Sequence, residues 1–344
     1  MYKLLLTILA GVWFAGCSKD NNAAGGNGST NDTTGTVYAA GYRYNGTSLK
    51  SIATYWRGNT PVDLTDGTKD AVATGIILQG NDVYVCGYES TGTNTAMAKY
   101  WKNGTVVNLT DGTRQTSTGT MTVVGTDVYV SGTEYNAAGK SVAKYWKNGV
   151  AVNLTNGALS ASATGITLSG ADVYAVGYEA SASTADLAKY WKNGTAVTLS
   201  DGVSNYYGNG IAVNGADIHV VGNIFALAIT GPAYWKNGVK SGFTSTDFGE
   251  SNSVMVNNGD VYIGGSISGK AMYWKNGVAV ALSNNSSTYE YVKSVFVFGG
   301  KVYCGGYRDF FGSGSLTATI WSYGSSVQLN PGSNSVVNSI YVVN

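Results

Sequence analysis

Residues 98–112 read Ala-Lys-Tyr-Trp-Lys-Asn-Gly-Thr-Val-Val-Asn-Leu-Thr-Asp-Gly, and the Tyr-Trp pair inside this stretch recurs along the chain at a nearly constant distance. The copies are Tyr55-Trp56, Tyr100-Trp101, Tyr145-Trp146, Tyr190-Trp191, Tyr234-Trp235, Tyr273-Trp274 and a degenerate Ile320-Trp321. Successive tryptophans of this series are 39 to 47 residues apart. A period in this range marks a repeat architecture, so the repeat predicts the fold before any single residue is considered.

Each repeat unit predicts four short antiparallel strands. In the second unit, strand A covers Gly75–Gln79, strand B Val83–Tyr88, strand C Ala98–Lys102 and strand D Thr105–Leu109. Asn103-Gly104, between strands C and D, is a strong signal for a two-residue hairpin. Four antiparallel strands in a unit of about 45 residues are typical of one blade of a β-propeller.

The start of strand B counts the blades, because it recurs in every unit. It appears as Val37-Tyr38, Val83-Tyr84, Val128-Tyr129, Val173-Tyr174, Ile218-His219, Val261-Tyr262 and Val302-Tyr303. The first unit lacks a strand A, whereas the last residues, 338–344, align with the strand A at 293–299. The sequence therefore predicts an all-β, seven-bladed propeller over residues 36–344, in which the C-terminal strand completes the N-terminal blade and leaves no open edge.

The N-terminus predicts export and lipid attachment. Lys3 precedes a short apolar stretch, residues 4–14, that is too short to span a bilayer. Phe14-Ala15-Gly16-Cys17 resembles the lipobox of bacterial lipoproteins, which implies a signal peptide over 1–16 and a lipidated Cys17. Residues 17–35 are a polar Gly/Asn/Thr-rich tether. This resemblance, with Ser18 after the cysteine, implies anchoring in the outer membrane with the chain periplasmic or surface-exposed; a plain secretory signal is the alternative.

Composition excludes some function classes. Removing residues 1–16 takes away Lys3 and leaves 20 basic against 20 acidic residues. A chain without excess Lys and Arg has no electrostatic basis for binding nucleic acid. One histidine and no metal-binding motif predict neither a His-based catalytic triad nor a metal site, and we expect a monomer without cofactors.

The blades resemble kelch units, in which a glycine-ended strand is followed by Tyr and Trp. Val261-Tyr-Ile-Gly-Gly265 and Val302-Tyr-Cys-Gly-Gly306 carry the resemblance most clearly. It implies the propeller fold and leaves the ligand open.

Most conspicuous residues are predicted to be structural. Adjacent Tyr and Trp on strand C point to opposite faces, so the pairs should pack against both neighbouring blades. His219 replaces a tyrosine of strand B and should lie in the core. Cys86 and Cys304 occupy different blades and should remain unpaired. Asp82 and its equivalents before strand B, and Asp66, Asp111 and Asp201 after strand D, are explained as local turn residues rather than catalytic carboxylates.

The loops suggest where a ligand would bind. The B–C and D–A loops, which share one face of a propeller, are long and varied, whereas the A–B and C–D turns of the other face are short and nearly constant. We name these the loop face and the turn face. A binding surface is predicted on the loop face of blades 5 to 7, beside two arginines from blades 1 and 7. Its candidate residues are Arg43, Tyr206, Tyr207, Phe248, Tyr289, Tyr291, Arg308, Phe310 and Phe311. The alternative interpretation is that these aromatics pack the loops and that the charges form rim salt bridges.

The predicted function is a membrane-anchored binding or scaffolding module whose ligand, a glycan, peptide or protein, contacts the loop face. The first alternative is a polysaccharide-active enzyme, a lyase or glycoside hydrolase, which would place a carboxylate or tyrosine cluster in a deep axial pocket. A binding protein would instead show a shallow aromatic patch. The second alternative is a purely structural surface protein.

Overall fold

A computed structural model describes residues 35–44, 46, 49–182, 185–226, 229–242, 248–283, 287–310, 315–322, 324–330 and 334–344. The described residues form seven four-stranded antiparallel sheets. Each innermost strand contacts the innermost strands of both neighbouring sheets, so the sheets form a closed ring. The predicted all-β, seven-bladed propeller is thereby confirmed. Among the described residues, no helix has the length and apolar character needed to cross a bilayer.

In chain order, the strands are β1 (Thr36–Tyr44), β2 (Ser51–Arg57), β3 (Thr60–Asp63), β4 (Ala71–Gln79), β5 (Asp82–Gly92), β6 (Thr95–Lys102), β7 (Thr105–Asn108), β8 (Thr116–Val124), β9 (Asp127–Tyr135), β10 (Ser141–Lys147), β11 (Val150–Asn153), β12 (Ala161–Ser169), β13 (Asp172–Ala180), β14 (Asp186–Lys192), β15 (Thr195–Thr198), β16 (Asn205–Asn214), β17 (Asp217–Ala226), β18 (Ile229–Lys236), β19 (Val239–Ser241), β20 (Gly249–Asn257), β21 (Asp260–Ile267), β22 (Lys270–Lys275), β23 (Val278–Ala281), β24 (Thr288–Phe298), β25 (Lys301–Phe310), β26 (Leu316–Ser322), β27 (Ser325–Gln328) and β28 (Ser335–Val343).

Blade 1 closes the ring, as predicted. Its strand order is β28-β1-β2-β3, so the last strand of the chain is the innermost strand of the first blade. The antiparallel pairing of β1 with β28 extends from Thr36 opposite Val343 to Arg43 opposite Ser335. Because β28 pairs with β1, blade 1 has four strands like the other blades, and the inner edge of β1 is covered.

The Tyr-Trp pairs join neighbouring blades. Trp235 is fully buried and packs with Tyr174, Val176 and Tyr190 of the preceding blade. The other tryptophans of the series repeat this contact, and each has at most 4% of its surface exposed. The preceding tyrosine faces the opposite interface, as Tyr190 does against blade 5. The predicted packing role of both aromatics is therefore confirmed.

The turn face carries a repeated polar arrangement that we call the turn clamp. In blade 3, Asp127 pairs with Lys147 at 2.8 Å and accepts a hydrogen bond from Asn148 Nδ2 at 2.8 Å. Asn148 Oδ1 in turn accepts from the Val128 N–H at 2.8 Å, and its backbone has φ 51°. The clamp recurs as Asp82/Lys102/Asn103, Asp172/Lys192/Asn193, Asp217/Lys236/Asn237 and Asp260/Lys275/Asn276. These aspartates thus tie the A–B turn to the C–D turn, a contact between turns that the sequence interpretation did not include.

The other residues that the sequence assigned to the core or to turns lie in those positions. His219 is 3% exposed, and its Nδ1 lies 2.7 Å from the Tyr234 hydroxyl. Burial lowers the pKa of His219, so the imidazole is held in its neutral form. Cys86 and Cys304 are buried and unpaired. Asp111 accepts from the N–H and hydroxyl of Thr113, a local turn of the expected kind. These residues are core or turn residues, as predicted.

Candidate functional site

A cavity opens on the loop face over the propeller axis, and all seven blades contribute to it. Its volume is about 570 Å³, which lies within the range of roughly 300–1,000 Å³ typical of small-molecule sites. The lining residues are Tyr42, Tyr44, Ser51, Val72, Thr74, Tyr88, Ser117, Thr118, Gly119, Thr120, Thr164, Asn209, Asn252, Lys293 and Asn338. We call this the axial cavity. None of these lining residues was among the predicted binding residues.

β-Bulges push polar side chains into the axial cavity. Every innermost strand breaks register with its neighbour near the loop face. The residues left over at these breaks are Thr74, Gly119 with Thr120, Thr164, Asn209, Asn252, Lys293 and Asn338. A bulge re-aims one side chain and bends the strand. Here seven bulges at corresponding places build one polar ring.

Gly119 shows how closely the blades approach at this ring. A Cβ atom built on it would lie 2.2 Å from the carbonyl oxygen of Thr164 in the next blade. Only a residue without a side chain fits there. The two-residue bulge of blade 3 therefore leaves Thr120 as the polar group that reaches the neighbour, accepting from the Ile166 N–H at 3.0 Å.

The ring side chains are hydrogen-bonded from blade to blade. Asn209 Nδ2 donates to the Ser251 carbonyl at 2.9 Å, Asn252 Nδ2 to the Val292 carbonyl at 2.8 Å, and Asn338 Nδ2 to the Ala73 carbonyl at 2.9 Å. Thr164 Oγ1 donates to the Gly208 carbonyl at 2.7 Å. Thr74 Oγ1 lies 2.7 Å from Thr118 Oγ1. These bonds fix the ring geometry and use one N–H of each of the three amides.

Unused acceptors remain on the same side chains. Among the described contacts, no group donates to the Oδ1 atoms of Asn209, Asn252 and Asn338. An amide oxygen has two lone pairs and remains available when the amide nitrogen is bound elsewhere. The cavity wall therefore offers these amide oxygens as acceptors, beside tyrosine hydroxyls that can donate or accept.

Tyrosines form one side of the axial cavity. Tyr42 and Tyr44 meet edge to face with ring centroids 5.8 Å apart. Burial raises the pKa of Tyr42, and the nearby Tyr44 and Tyr88 raise it further. Burial also raises the pKa of Tyr88. Both hydroxyls are protonated at neutral pH, so this wall offers aromatic surface and neutral O–H groups.

Lys293 is the one charged side chain among the lining residues that the structure describes. Its Nζ lies 3.1 Å and 3.2 Å from the two carboxylate oxygens of Glu250. It also lies over the rings of Tyr291 and Tyr307, which stack on each other at 4.9 Å. The ammonium charge is thus compensated inside the protein. Tyr291, a predicted binding residue, supports this lysine at the edge of the cavity.

Two of the predicted binding aromatics of blade 5 are fixed by packing and hydrogen bonds within the protein. Tyr206 is 6% exposed and packs on Trp235, and its hydroxyl accepts from Lys240 at 2.9 Å. This burial corrects its placement on a binding surface, because strand alternation turns Tyr206 toward the blade interface. Tyr207 donates to Asp186 Oδ2 at 2.6 Å and packs between Tyr178 and Phe225.

Three of the predicted aromatics of blades 6 and 7 are exposed. Phe248, Tyr289 and Phe310 are 66%, 42% and 38% exposed. Tyr289 lies opposite Asp309 and Phe310 opposite Thr288, so the two aromatic side chains project from opposite faces of blade 7. Tyr289 and Phe310 therefore do not share one face of the blade. Phe311 lies outside the described residues, as do Cys17, the signal peptide and all of the tether except Gly35.

The predicted arginines are paired within their own blades. Arg43 donates through Nε to Asp63 Oδ1 at 2.9 Å and also pairs with Oδ2. Arg308 Nε donates to Glu290 Oε1 at 2.7 Å. The glutamates at the same position of blades 2 to 4 pair in the same way, as Glu89–Lys99, Glu134–Lys144 and Glu179–Lys189. These charged side chains therefore form salt bridges, as the alternative interpretation predicted.

A sequence signal for the ring residues exists. In six blades, the bulged residue is polar, is followed by Gly or Ser, and then by Ile or Val. The copies are Thr74-Gly75-Ile76, Thr164-Gly165-Ile166, Asn209-Gly210-Ile211, Asn252-Ser253-Val254, Lys293-Ser294-Val295 and Asn338-Ser339-Ile340. A polar residue at this fixed place, followed by Gly or Ser and then by Ile or Val, marks the residue that turns toward the axis.

Comparison with known proteins supports the fold alone. No protein-family model matches the sequence, and no curated protein matches it. The acylaminoacyl peptidase of Pyrococcus horikoshii is 11% identical with a TM-score of 0.52, covering 86% of this chain and 50% of that one. A puromycin-hydrolyzing peptidase of Mycobacterium tuberculosis is 12% identical with a TM-score of 0.51, covering 76% and 47%. The β-propeller domain of the trilobed protease from Pyrococcus furiosus is 10% identical with a TM-score of 0.48, covering 87% and 93%.

This chain therefore spans about half the length of the two peptidases. The likeness extends to a propeller fold, which hosts many unrelated functions. Function has to be argued from the site.

Proposed function

We propose that this protein is a lipid-anchored, extracytoplasmic binding module of the outer membrane that holds its ligand in the axial cavity. The observation that carries the proposal is the cavity itself, which opens on the loop face and receives residues from all seven blades. A concave site with aromatic walls and a few fixed polar groups is the usual form of a binding site. The rigid ring of inner strands holds these groups in place before a ligand arrives.

The chain direction supports this arrangement. β1 begins at Thr36 and runs from the turn face toward the loop face. The chain therefore enters the propeller at its turn face. The cavity opens at the opposite end of the strands, where a ligand outside the membrane can enter.

A second candidate function is a polysaccharide-active enzyme, because tyrosines do lie in an axial cavity. The weakness of this candidate is that the hydroxyls of Tyr42 and Tyr88 are protonated at neutral pH. A tyrosine acting as a base in a lyase needs a pKa lowered toward neutrality, whereas burial raises the pKa values of Tyr42 and Tyr88. The lining residues that the structure describes include no Asp or Glu. Binding is therefore the better supported proposal, and a purely structural role would leave the cavity without a use.

The anchor and the binding function are tested separately. Membrane fractionation of cells that produce the full chain or its Cys17→Ala variant tests the anchor; we expect the variant to leave the membrane fraction. Retention of the variant there would contradict lipid attachment. A screen of glycans, peptides and cell-surface extracts against the full chain tests binding. The same screen is repeated with Tyr44→Ala, which alters the cavity wall. A ligand that both proteins bind equally well does not use the axial cavity.

A further inference from the structure

We propose that the axial cavity binds the hydroxyl-rich end of a neutral saccharide, an inference that rests on the binding function proposed above. Three features of the cavity lead to this ligand class. They are a set of amide oxygens free to accept hydrogen bonds, an aromatic wall, and a charge that is compensated within the protein.

The acceptors come first. The Nδ2 groups of Asn209, Asn252 and Asn338 are used between blades, and their Oδ1 atoms have no donor among the described contacts. The hydroxyl of Thr164 is likewise committed to the Gly208 carbonyl. A complementary ligand can therefore donate to these oxygens and accept from the tyrosine hydroxyls of the same cavity. Saccharide hydroxyls both donate and accept, and they point in many directions.

The aromatic wall comes second. Tyr42, Tyr44 and Tyr88 line the side of the axial cavity formed by blades 1 and 2. Their rings provide apolar surface beside the polar ring, and burial raises the pKa values of Tyr42 and Tyr88, so these two hydroxyls are neutral. A pyranose ring has this combination of surfaces, since its C–H groups cover one face and its hydroxyls surround the edge.

The charge balance comes third. Lys293 would attract a carboxylate or phosphate if its ammonium were free. Glu250 holds it through both carboxylate oxygens, and the rings of Tyr291 and Tyr307 cover it. An anionic ligand would have to break this pair and would meet the Glu250 carboxylate. The site therefore favours a neutral ligand over a uronic acid or a phosphorylated sugar.

The experiment uses the full chain carrying Cys17→Ala, so that lipid does not interfere. Calorimetry and ligand-observed NMR measure binding of neutral mono- and disaccharides and of matched uronic-acid analogues. We expect neutral sugars to bind and Tyr44→Ala to weaken them at least about tenfold, the loss typical of a central contact. Val150→Ala, on the exposed turn face, is the control and should leave binding unchanged. Circular dichroism checks that Tyr44→Ala remains folded.

A second variant tests the charge argument without touching the tyrosines. Glu250→Gln keeps the side-chain shape and uncovers the ammonium of Lys293. We expect this variant to gain affinity for the uronic-acid analogues by about tenfold and to keep its affinity for neutral sugars. If the unmodified protein bound uronic-acid analogues as tightly as neutral sugars, the proposed preference for a neutral ligand would be wrong.

The other outcomes are distinguishable. A peptide or protein ligand that is lost in Tyr44→Ala, with no sugar bound, overturns the saccharide class and leaves the binding function standing. Sugar binding that Tyr44→Ala does not change overturns the axial cavity as its site. No ligand of any class bound at the cavity overturns both proposals.

Discussion

Asn338 Nδ2 donates a hydrogen bond to the Ala73 carbonyl oxygen at 2.9 Å, across 265 positions of sequence. Asn338 lies on the last strand of the chain and Ala73 on the innermost strand of blade 2. The same interface holds a second bond, from the Ile76 N–H to Ser339 Oγ at 3.3 Å. The C-terminal strand therefore completes blade 1 and also fastens it to blade 2, so one short segment carries both the closure of the ring and part of the axial cavity.

Removal of this strand should open the ring. Deleting residues 335–344 leaves blade 1 with three strands and exposes the inner edge of β1. We expect a large fall in the melting temperature and association through the exposed edge. Differential scanning calorimetry and size-exclusion chromatography would measure both. Deletion of Asn344 alone, which follows β28, is the control; a truncated chain as stable as this control would contradict the closure.

Replacing an interblade tryptophan should be costly. Trp235 is fully buried among Tyr174, Val176 and Tyr206. Trp235→Ala leaves a cavity at the interface of blades 4 and 5, and we expect a loss of about 3–5 kcal/mol in the free energy of unfolding. Val239→Ala, on an exposed side chain of the same blade, should change it by less than about 0.5 kcal/mol. Denaturant unfolding measures both, and similar values would show that the tryptophan is not a packing residue.

The turn clamp should depend more on its asparagine than on its lysine. Asn148 holds the left-handed backbone of its turn, accepts from the Val128 N–H and donates to Asp127. Asn148→Ala loses these bonds and strains the turn, so we expect about 1–2 kcal/mol of destabilisation. Lys147→Met removes an exposed ion pair and a contact of the ammonium with the Tyr129 ring, and it should have a smaller effect. Chemical denaturation compares the two; a larger effect of Lys147→Met would reverse the proposed roles.

The clamp aspartates predict how stability responds to acid. Hydrogen bonds from Lys147 and Asn148 lower the pKa of Asp127, and its counterparts in the other clamps are lowered in the same way. In the unfolded chain these carboxyls titrate near their usual pKa of about 3.9. The stability that these carboxylates give the folded protein is therefore fully present above that pKa. It is lost as the pH falls through their lower pKa values in the folded state.

Urea unfolding between neutral pH and pH 2 tests this dependence. The free energy of unfolding should fall with acidification, and Asp127→Asn should reduce the slope. A variant with an unchanged slope would show that this aspartate does not contribute to the acid dependence.

The buried thiols should be unreactive in the folded protein. Burial raises the pKa of Cys86 to about 12 and raises that of Cys304 as well. Thiolate is the reactive form, so in the Cys17→Ala chain we expect no labelling by a thiol reagent until denaturant is added. Both cysteines should then react. Labelling of either residue at neutral pH without denaturant would contradict their burial.

Sequence alone determined the number of blades, the ring closure and the packing role of the Tyr-Trp pairs. These features follow from local patterns, since strand alternation and Asn-Gly turns repeat in every unit and the missing strand A of the first unit matches residues 338–344. His219 and the two cysteines could be assigned to the core because each replaces a core residue of the repeat.

Only the tertiary structure decided where a ligand could lie. Exposed aromatics such as Phe248 and Phe310 were conspicuous in sequence, yet Tyr206 is buried and Arg43 is paired with Asp63. The axial cavity instead depends on bulges such as that at Asn252, whose partner is a backbone carbonyl in the next blade. A bulge is a change of register between strands, and the axis is formed by strands far apart in sequence. The bulged residue leaves a signal within the repeat in six blades, but the axis is not specified by one repeat alone, so the site becomes visible only when seven repeats close into a ring.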